Sequence, residues 1–199
     1  MEKQLKRFAT LLFFICSILG GIISAQAQTK QAEKLNKKRS KNLAPNSPYT
    51  KEQLKYDSEF AVAAASANML EVSLGKLAQQ KAIALEVKEW GKKMDQDYSE
   101  AGSKLEAIAS RNNITLPTMM SADDRAIYDD VDDRKYLGFD KKYLRDAKAL
   151  HERTVKRYAE AATKLSNPEL LTYVTEMLPK QRAHETETAA LFERANALK

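Results

Sequence analysis

Cysteine, glycine and proline are scarce in this chain of 199 residues. The single cysteine, Cys16, excludes a scaffold held by disulfides and a zinc site rich in cysteine. Six glycines and five prolines are too few for a collagen-like chain or a β-rich chain. A composition that is 43% apolar and 30% charged also argues against a disordered protein and against a bundle of membrane spans. We therefore expect one folded domain, with or without a tail.

The sequence also lacks the short motifs of common enzyme classes. It contains no Gly-x-Ser-x-Gly elbow and no phosphate-binding loop. A nucleophilic hydrolase would lack an accessible histidine as its general base, because the chain has two histidines and both fall on predicted core faces. These absences argue against an enzyme, but they do not indicate another function.

The N-terminus carries the pattern of an export signal. A short basic start at residues 3–7 precedes a run over residues 8–23 that has no charge. Ala25 and Ala27 are small residues at the positions that signal peptidase recognises. We predict a signal peptide over residues 1–27, cleaved near Ala27, and export to the periplasm or cell envelope. An uncleaved anchor is the alternative, although the run is short for a membrane span.

Positive charge is concentrated near the N-terminus of the chain. The whole sequence has a formal net charge of +6, whereas residues 51–199 carry 24 basic and 25 acidic residues. Residues 28–50 hold six basic residues, one acid and two prolines, so we predict a disordered basic tail there. A nearly neutral core excludes nucleic acid as a partner. The tail is predicted either to contact an anionic membrane or wall polymer weakly, or to act as a solvated spacer.

From residue 58 onward the apolar residues recur at helical spacing, and no strand-like alternation appears. The four runs are Phe60, Ala64, Ala67, Leu74 and Ala78; Val87, Trp90, Met94, Ala101, Leu105 and Ile108; Tyr143, Ala147, Leu150, Thr154, Tyr158, Ala161 and Leu165; and Leu170, Val174, Met177, Leu191 and Ala195. They predict an all-α fold, an antiparallel four-helix bundle over residues 51–199.

Local signals mark where individual helices begin. Ser121, with Asp124 three positions later, predicts a short acidic helix in the connection between the second and third long helices. Asn167 and Pro168 predict the start of the fourth helix. Pro179 lies inside that helix, and we expect a kink there without a break, because the apolar pattern resumes in phase.

Four polar residues interrupt the apolar runs near the middle of each long helix. They are Glu71, Tyr98, His151 and His184, one on each helix. Because the midpoints of antiparallel helices share one level, we expect these four side chains to meet in a central layer. Bundle cores host ligand and metal sites in such layers.

Two interpretations of this layer are open. A satisfied set of buried polar groups fixes the register of the helices. Alternatively, Glu71, His151 and His184 bind one transition-metal ion, with Tyr98 as a fourth ligand or as a hydrogen-bond donor to a ligand. Zinc, iron and copper all suit this ligand set. A di-iron centre is not expected, since neither histidine has the acid three positions earlier that such a centre requires.

The chain resembles a family of exported bacterial proteins known as domain of unknown function 4142, whose members are often labelled putative outer-membrane proteins. The resemblance runs from about residue 58 to residue 198. Four stretches carry it: residues 60–67, residues 69–78, residues 139–143, and Leu178-Pro179 followed by His184. It implies a ferritin-like four-helix bundle in the cell envelope and no established activity.

The family often has an Asp-His pair on both middle helices, whereas this chain has Asp97-Tyr98 and Leu150-His151. One histidine and one acid of that pattern are therefore missing. We expect an envelope module that binds a partner or serves in stress tolerance without catalysis. A metal-binding or redox protein with a mononuclear site is the alternative. The sequence predicts no oligomeric state.

Overall fold

The structure, a computed structural model, describes residues 25–197. Every regular element in that range is helical, so the predicted all-α class is confirmed. The predicted signal peptide lies outside the described residues except for its last three. No helix within residues 25–197 is both long enough and apolar enough to cross a membrane.

Six helices follow one another along the described chain. They are α1 (Ala25–Leu43), α2 (Lys51–Lys81), α3 (Leu85–Arg111), α4 (Ala122–Asp132), α5 (Leu137–Lys164) and α6 (Pro168–Ala197), with a short 3₁₀ helix at Ala44–Asn46 after α1. The four predicted long helices correspond to α2, α3, α5 and α6, and the predicted short helix corresponds to α4.

The ends of the long helices show how they are arranged. α2 packs along α3, and α5 packs along α6. Asp57, near the start of α2, accepts hydrogen bonds of 2.9 Å from the backbone N–H groups of Ser166 and Asn167, between α5 and α6. Asp140, at the start of α5, accepts from the N–H groups of Ile83 and Ala84, just before α3. α2 and α5 therefore run in opposite directions.

The same holds for α3 and α6. Arg194, near the end of α6, pairs with Glu86 at the start of α3. Arg111, the last residue of α3, pairs with Glu169 at the start of α6. Each long helix therefore runs antiparallel to both long helices beside it.

Helices α2 and α3 approach closely at two glycines. A Cβ atom built on Gly75 would lie 2.5 Å from the carbonyl oxygen of Gly91 and 2.8 Å from the backbone nitrogen of Asp95. One built on Gly91 would lie 2.6 Å from the Cβ of Ala78. Both positions therefore require the absence of a side chain.

The predicted caps are present. Ser121 accepts from the N–H of Asp124 at the start of α4. Asn167 accepts from the N–H groups of Glu169 and Leu170 at the start of α6. α6 is one continuous helix through Pro179, so the expectation that the proline does not break it is confirmed.

The prediction of a disordered tail over residues 28–50 is wrong. Residues 25–43 form α1, which lies against α2. Its contact face consists of Ala32, Asn36 and Ser40, which are buried at steps of four residues. These small and polar side chains give no apolar pattern, yet they let the helix backbone approach its neighbour.

Side chains of α1 hold the segment that follows α3. Asn36 pairs in both directions with the backbone of Thr115, at 2.9 Å and 2.8 Å. Arg39 donates to the carbonyl oxygen of Asn113 at 2.8 Å. Near the start of α1, Gln28 accepts from the hydroxyl of Thr118. Residues 113–118 are therefore tied to α1 by side-chain hydrogen bonds.

Candidate functional site

The four polar residues predicted from the sequence meet inside the protein. Glu71 lies on α2, Tyr98 on α3, His151 on α5 and His184 on α6. Their exposed fractions are 1%, 1%, 0% and 2%. Along the helices they lie between two apolar clusters, one near the α2–α3 connection, which includes Tyr98, and one near the α5–α6 connection. We refer to these four residues, with the side chains that contact them, as the central layer.

The rings of the central layer stack and tilt against one another. The ring of Tyr98 is parallel to that of His151, with an angle of 6° and a centroid distance of 6.2 Å. The ring of His184 lies 5.7 Å from that of His151 and 5.6 Å from that of Tyr98. Trp90 closes one side, with its ring edge-on to both imidazoles.

His151 has a polar group near each ring nitrogen. Its Nδ1 lies 3.0 Å from the hydroxyl oxygen of Thr188. Its Nε2 lies 3.0 Å from Oε1 of Glu71. The contact between Nε2 and Glu71 does not have the geometry of a hydrogen bond. Nε2 of His151 and Oε1 of Glu71 therefore both lack a hydrogen-bond partner.

His184 faces a charged pair at the edge of the layer. Its Nε2 lies 2.9 Å from Oδ2 of Asp97 and 3.1 Å from Nζ of Lys93, and those two atoms lie 2.9 Å from each other. Burial, followed by the positive charge of Lys93, lowers the pKa of His184 to about 4. The imidazole is therefore neutral at neutral pH, and its Nδ1 has no partner.

Tyr98 donates its hydroxyl hydrogen to Oε1 of Gln181 over 2.6 Å. Burial, together with the charge of Glu71, holds the pKa of Tyr98 well above its usual value. The phenol is therefore protonated at neutral pH.

Buried polar atoms without a hydrogen-bond partner are concentrated in and around the central layer. Within the described residues, the buried side-chain atoms without a hydrogen-bond partner are both carboxylate oxygens of Glu71, Nε1 of Trp90, the hydroxyl of Tyr143, Nε2 of His151, Nε2 of Gln181 and Nδ1 of His184. Buried polar groups are normally paired, and each unpaired one costs about 1–3 kcal/mol. This cluster makes the central layer a candidate site for a group that hydrogen-bonds or coordinates.

As the side chains stand, the predicted metal ligands do not form a complete coordination set. No group of three or more His, Cys, Asp or Glu side chains within residues 25–197 is placed to hold a metal ion. Glu71 and His151 approach each other, whereas the Nε2 of His184 is occupied by Asp97.

A surface cavity of about 520 Å³ lies beside the central layer, between α2, α3 and residues 116–120. Its apolar lining consists of Ala65, Met69, Val72, Leu116, Pro117, Met119 and Met120. Tyr98 also lines it, so this ring separates the cavity from the two histidines. Its volume falls within the range of small-molecule sites.

Sequence reasoning missed three residues of the site and the cavity beside it. Lys93 and Asp97 are four residues apart on α3, a spacing that predicts a helical ion pair, but their contact with α6 depends on how the helices are rotated. Trp90 belonged to an apolar run and was treated as core alone. The cavity was missed because residues 116–120 show no periodic pattern.

Comparison with known families agrees with the resemblance drawn from the sequence. The profile of one family, described as a domain of unknown function (DUF4142), matches residues 40–191. The match covers α2 to α5 and most of α6, whereas most of α1 precedes it. No curated protein and no solved structure is a match for the chain. The chain therefore belongs to the DUF4142 family, as predicted.

Proposed function

We propose that this protein is an exported module of the cell envelope that binds a small, mostly apolar molecule and does not transform it. The cavity between α2, α3 and residues 116–120 is the observation that carries the proposal. Three methionines line it, and methionine side chains adapt to ligands of different shape. The export signal predicted over residues 1–27 supports the location.

The binding site and the acid–base groups are separate, which supports binding without catalysis. His151 and His184 do not line the cavity, and Tyr98 stands between them and it. The polar groups at the cavity are hydroxyls and an amide, with Glu106 and Arg125 as the charged residues. Such a lining suits a ligand with an apolar body and one polar end.

The proposal includes the finer fold class, an antiparallel four-helix bundle of the ferritin-like type. Its support is the pair of carboxylates, Asp57 and Asp140, that tie opposite ends of α2 and α5. Ion pairs of α3 with α6 at both ends add to it.

Gly102 offers a clean test of the cavity. It lines the cavity, and a Cβ atom built on it meets no other atom within 4 Å. Gly102→Leu therefore fills part of the cavity without a clash at Cβ. Gly138, which does not line the cavity and is equally open, provides the matched control Gly138→Leu.

The measurement is titration of the purified protein with N-phenyl-1-naphthylamine, a dye that fluoresces in apolar sites. We expect saturable binding that Gly102→Leu weakens by about tenfold or more, equal to about 1.4 kcal/mol, and that Gly138→Leu leaves unchanged. No saturable binding, or equal binding by both variants, would refute the site. Sequencing the N-terminus of the mature protein from the envelope tests the predicted cleavage near Ala27.

A basic face on α1 supports a second function, contact with an anionic membrane surface. Five exposed lysines recur on the side of α1 opposite its contact face with α2. They are Lys30, Lys34, Lys37, Lys38 and Lys41. None forms an ion pair with a described residue, although six lysines of α2, α3 and α5 pair with an acid four residues away. Each basic residue near an anionic membrane contributes about 1 kcal/mol of binding.

A further inference from the structure

We infer that the central layer binds one transition-metal ion through Nε2 of His151, Nδ1 of His184 and the carboxylate of Glu71. Each of these atoms is among the buried side-chain atoms that have no hydrogen-bond partner within the described residues. The inference is independent of the cavity, since none of the three residues lines it.

The partners of His184 determine which of its nitrogens is free. The ammonium of Lys93 is donor-only and lies 3.1 Å from Nε2 of His184, so it favours the tautomer with the hydrogen on Nδ1. Asp97 is acceptor-only when ionised and favours the tautomer that donates from Nε2 over 2.9 Å, in which Nδ1 carries a lone pair and has no partner. Histidines that bind metals commonly donate their other N–H to a carboxylate in this way.

His151 is held in a similar manner by Thr188. The hydroxyl oxygen of Thr188, 3.0 Å from Nδ1, accepts the imidazole hydrogen in the tautomer that leaves a lone pair on Nε2. That lone pair then lies 3.0 Å from Oε1 of Glu71. Two electron-rich atoms at this distance repel each other unless a proton or a metal ion lies between them.

Glu71 adds the negative charge. Its carboxylate is buried, and neither of its oxygens accepts a hydrogen bond. A buried carboxylate that accepts no hydrogen bond is unfavourable, and a metal ion shared with His151 reduces that penalty. Lys93 does not supply the missing charge, because it contacts Nε2 of His184 and Asp97 at the edge of the layer.

The spacing of the imidazoles suits one shared ion. Two imidazoles that bind a tetrahedral ion at about 2.0–2.1 Å have ring centroids about 5 Å apart. The rings of His151 and His184 are 5.7 Å apart. Because the three side chains do not yet form a complete coordination set, binding requires them to shift toward one another. Two imidazoles and one carboxylate suit zinc, iron(II) or copper(II).

The experiment is a titration of metal-free, purified protein with Co²⁺, whose visible spectrum reports nitrogen and oxygen ligands, followed by competition with Zn²⁺. We expect about one equivalent to bind. His151→Gln and His184→Gln should each abolish the visible bands, while circular dichroism confirms that the variants remain helical.

A pair of conservative variants separates metal binding from a structural role of the layer. Asp97→Asn alters the partner of His184 and should weaken Co²⁺ binding about 10- to 100-fold. Asp95→Asn makes the same change on the same helix, where the carboxylate contacts Gln79, Lys76 and Ser99 instead, and should not affect binding. The inference is overturned if less than about a tenth of an equivalent binds. It is also overturned if His151→Gln/His184→Gln binds as the wild type does, or if Asp97→Asn and Asp95→Asn are equal.

Discussion

The contact between Gly75 and Gly91 makes a sharp prediction about stability. Gly75→Ala places a Cβ atom 2.5 Å from the carbonyl oxygen of Gly91 and 2.8 Å from the nitrogen of Asp95. Both are backbone atoms, so no side-chain rotation relieves the clash. α2 and α3 must move apart along a contact that the structure keeps close.

The magnitude follows from two opposing effects. Overpacking of a core costs about 1–3 kcal/mol, and the upper end applies because the clash is with backbone. Replacing glycine by alanine inside a helix returns about 0.5–1 kcal/mol. The free energy of unfolding should therefore fall by about 2 kcal/mol in Gly75→Ala, and the melting temperature by about 4–8 °C.

Gly102→Ala is the matched control in the partner helix. Its Cβ meets no atom within 4 Å, so the helix gain of about 0.5–1 kcal/mol should appear unopposed. Urea unfolding followed by circular dichroism should show the two variants shifting in opposite directions. If Gly75→Ala is as stable as the wild type, the helices adjust at low cost, and the argument from close contact is wrong.

The remaining predictions concern the helix ends and α1. Asp140→Ala leaves the N–H groups of Ile83 and Ala84 without their carboxylate acceptor and should cost about 2–3 kcal/mol in urea unfolding, whereas a loss below about 0.5 kcal/mol would contradict a capping role. Asn36→Ala removes both hydrogen bonds to Thr115, so amide hydrogen exchange in α1 should accelerate while exchange in α5 stays unchanged; unaltered exchange in α1 would show that other contacts hold it. Replacing the five lysines of the α1 basic face by glutamine should abolish co-sedimentation with vesicles containing phosphatidylglycerol at low salt. Equal retention of both proteins would exclude the membrane contact.

The central layer could be predicted from the sequence because it depends on periodicity. Each of Glu71, Tyr98, His151 and His184 interrupts an apolar run near the middle of its helix. Antiparallel packing then brings helix midpoints to one level, and the ring distances agree with this. What periodicity does not determine is the rotation of each side chain, and so it did not predict that Asp97 would bind His184.

The folding of α1 could not be predicted from apolar patterning. Its contact face is built from alanine, asparagine and serine, which allow a close approach to α2, and the hydrogen bonds of Asn36 tie it to Thr115. Composition alone favoured a disordered tail, because lysines dominate the face that points to solvent. The close contact at Gly75 and Gly91 could not be predicted for a related reason. It depends on the absence of side chains, and such a contact produces no hydrophobic pattern in the sequence.

The hydrogen bonds from α1 to residues 113–118 link two regions that otherwise have separate roles. Leu116, Pro117 and Thr118 form part of the cavity wall, and Asn36 and Gln28 hold the same segment from α1. Any ligand that stabilises this wall segment as it stands therefore also stabilises the packing of α1, by thermodynamic reciprocity. Conversely, a force or partner that pulls α1 away loosens the wall. The helix that carries the exposed lysines is thus linked by hydrogen bonds to the wall of the cavity.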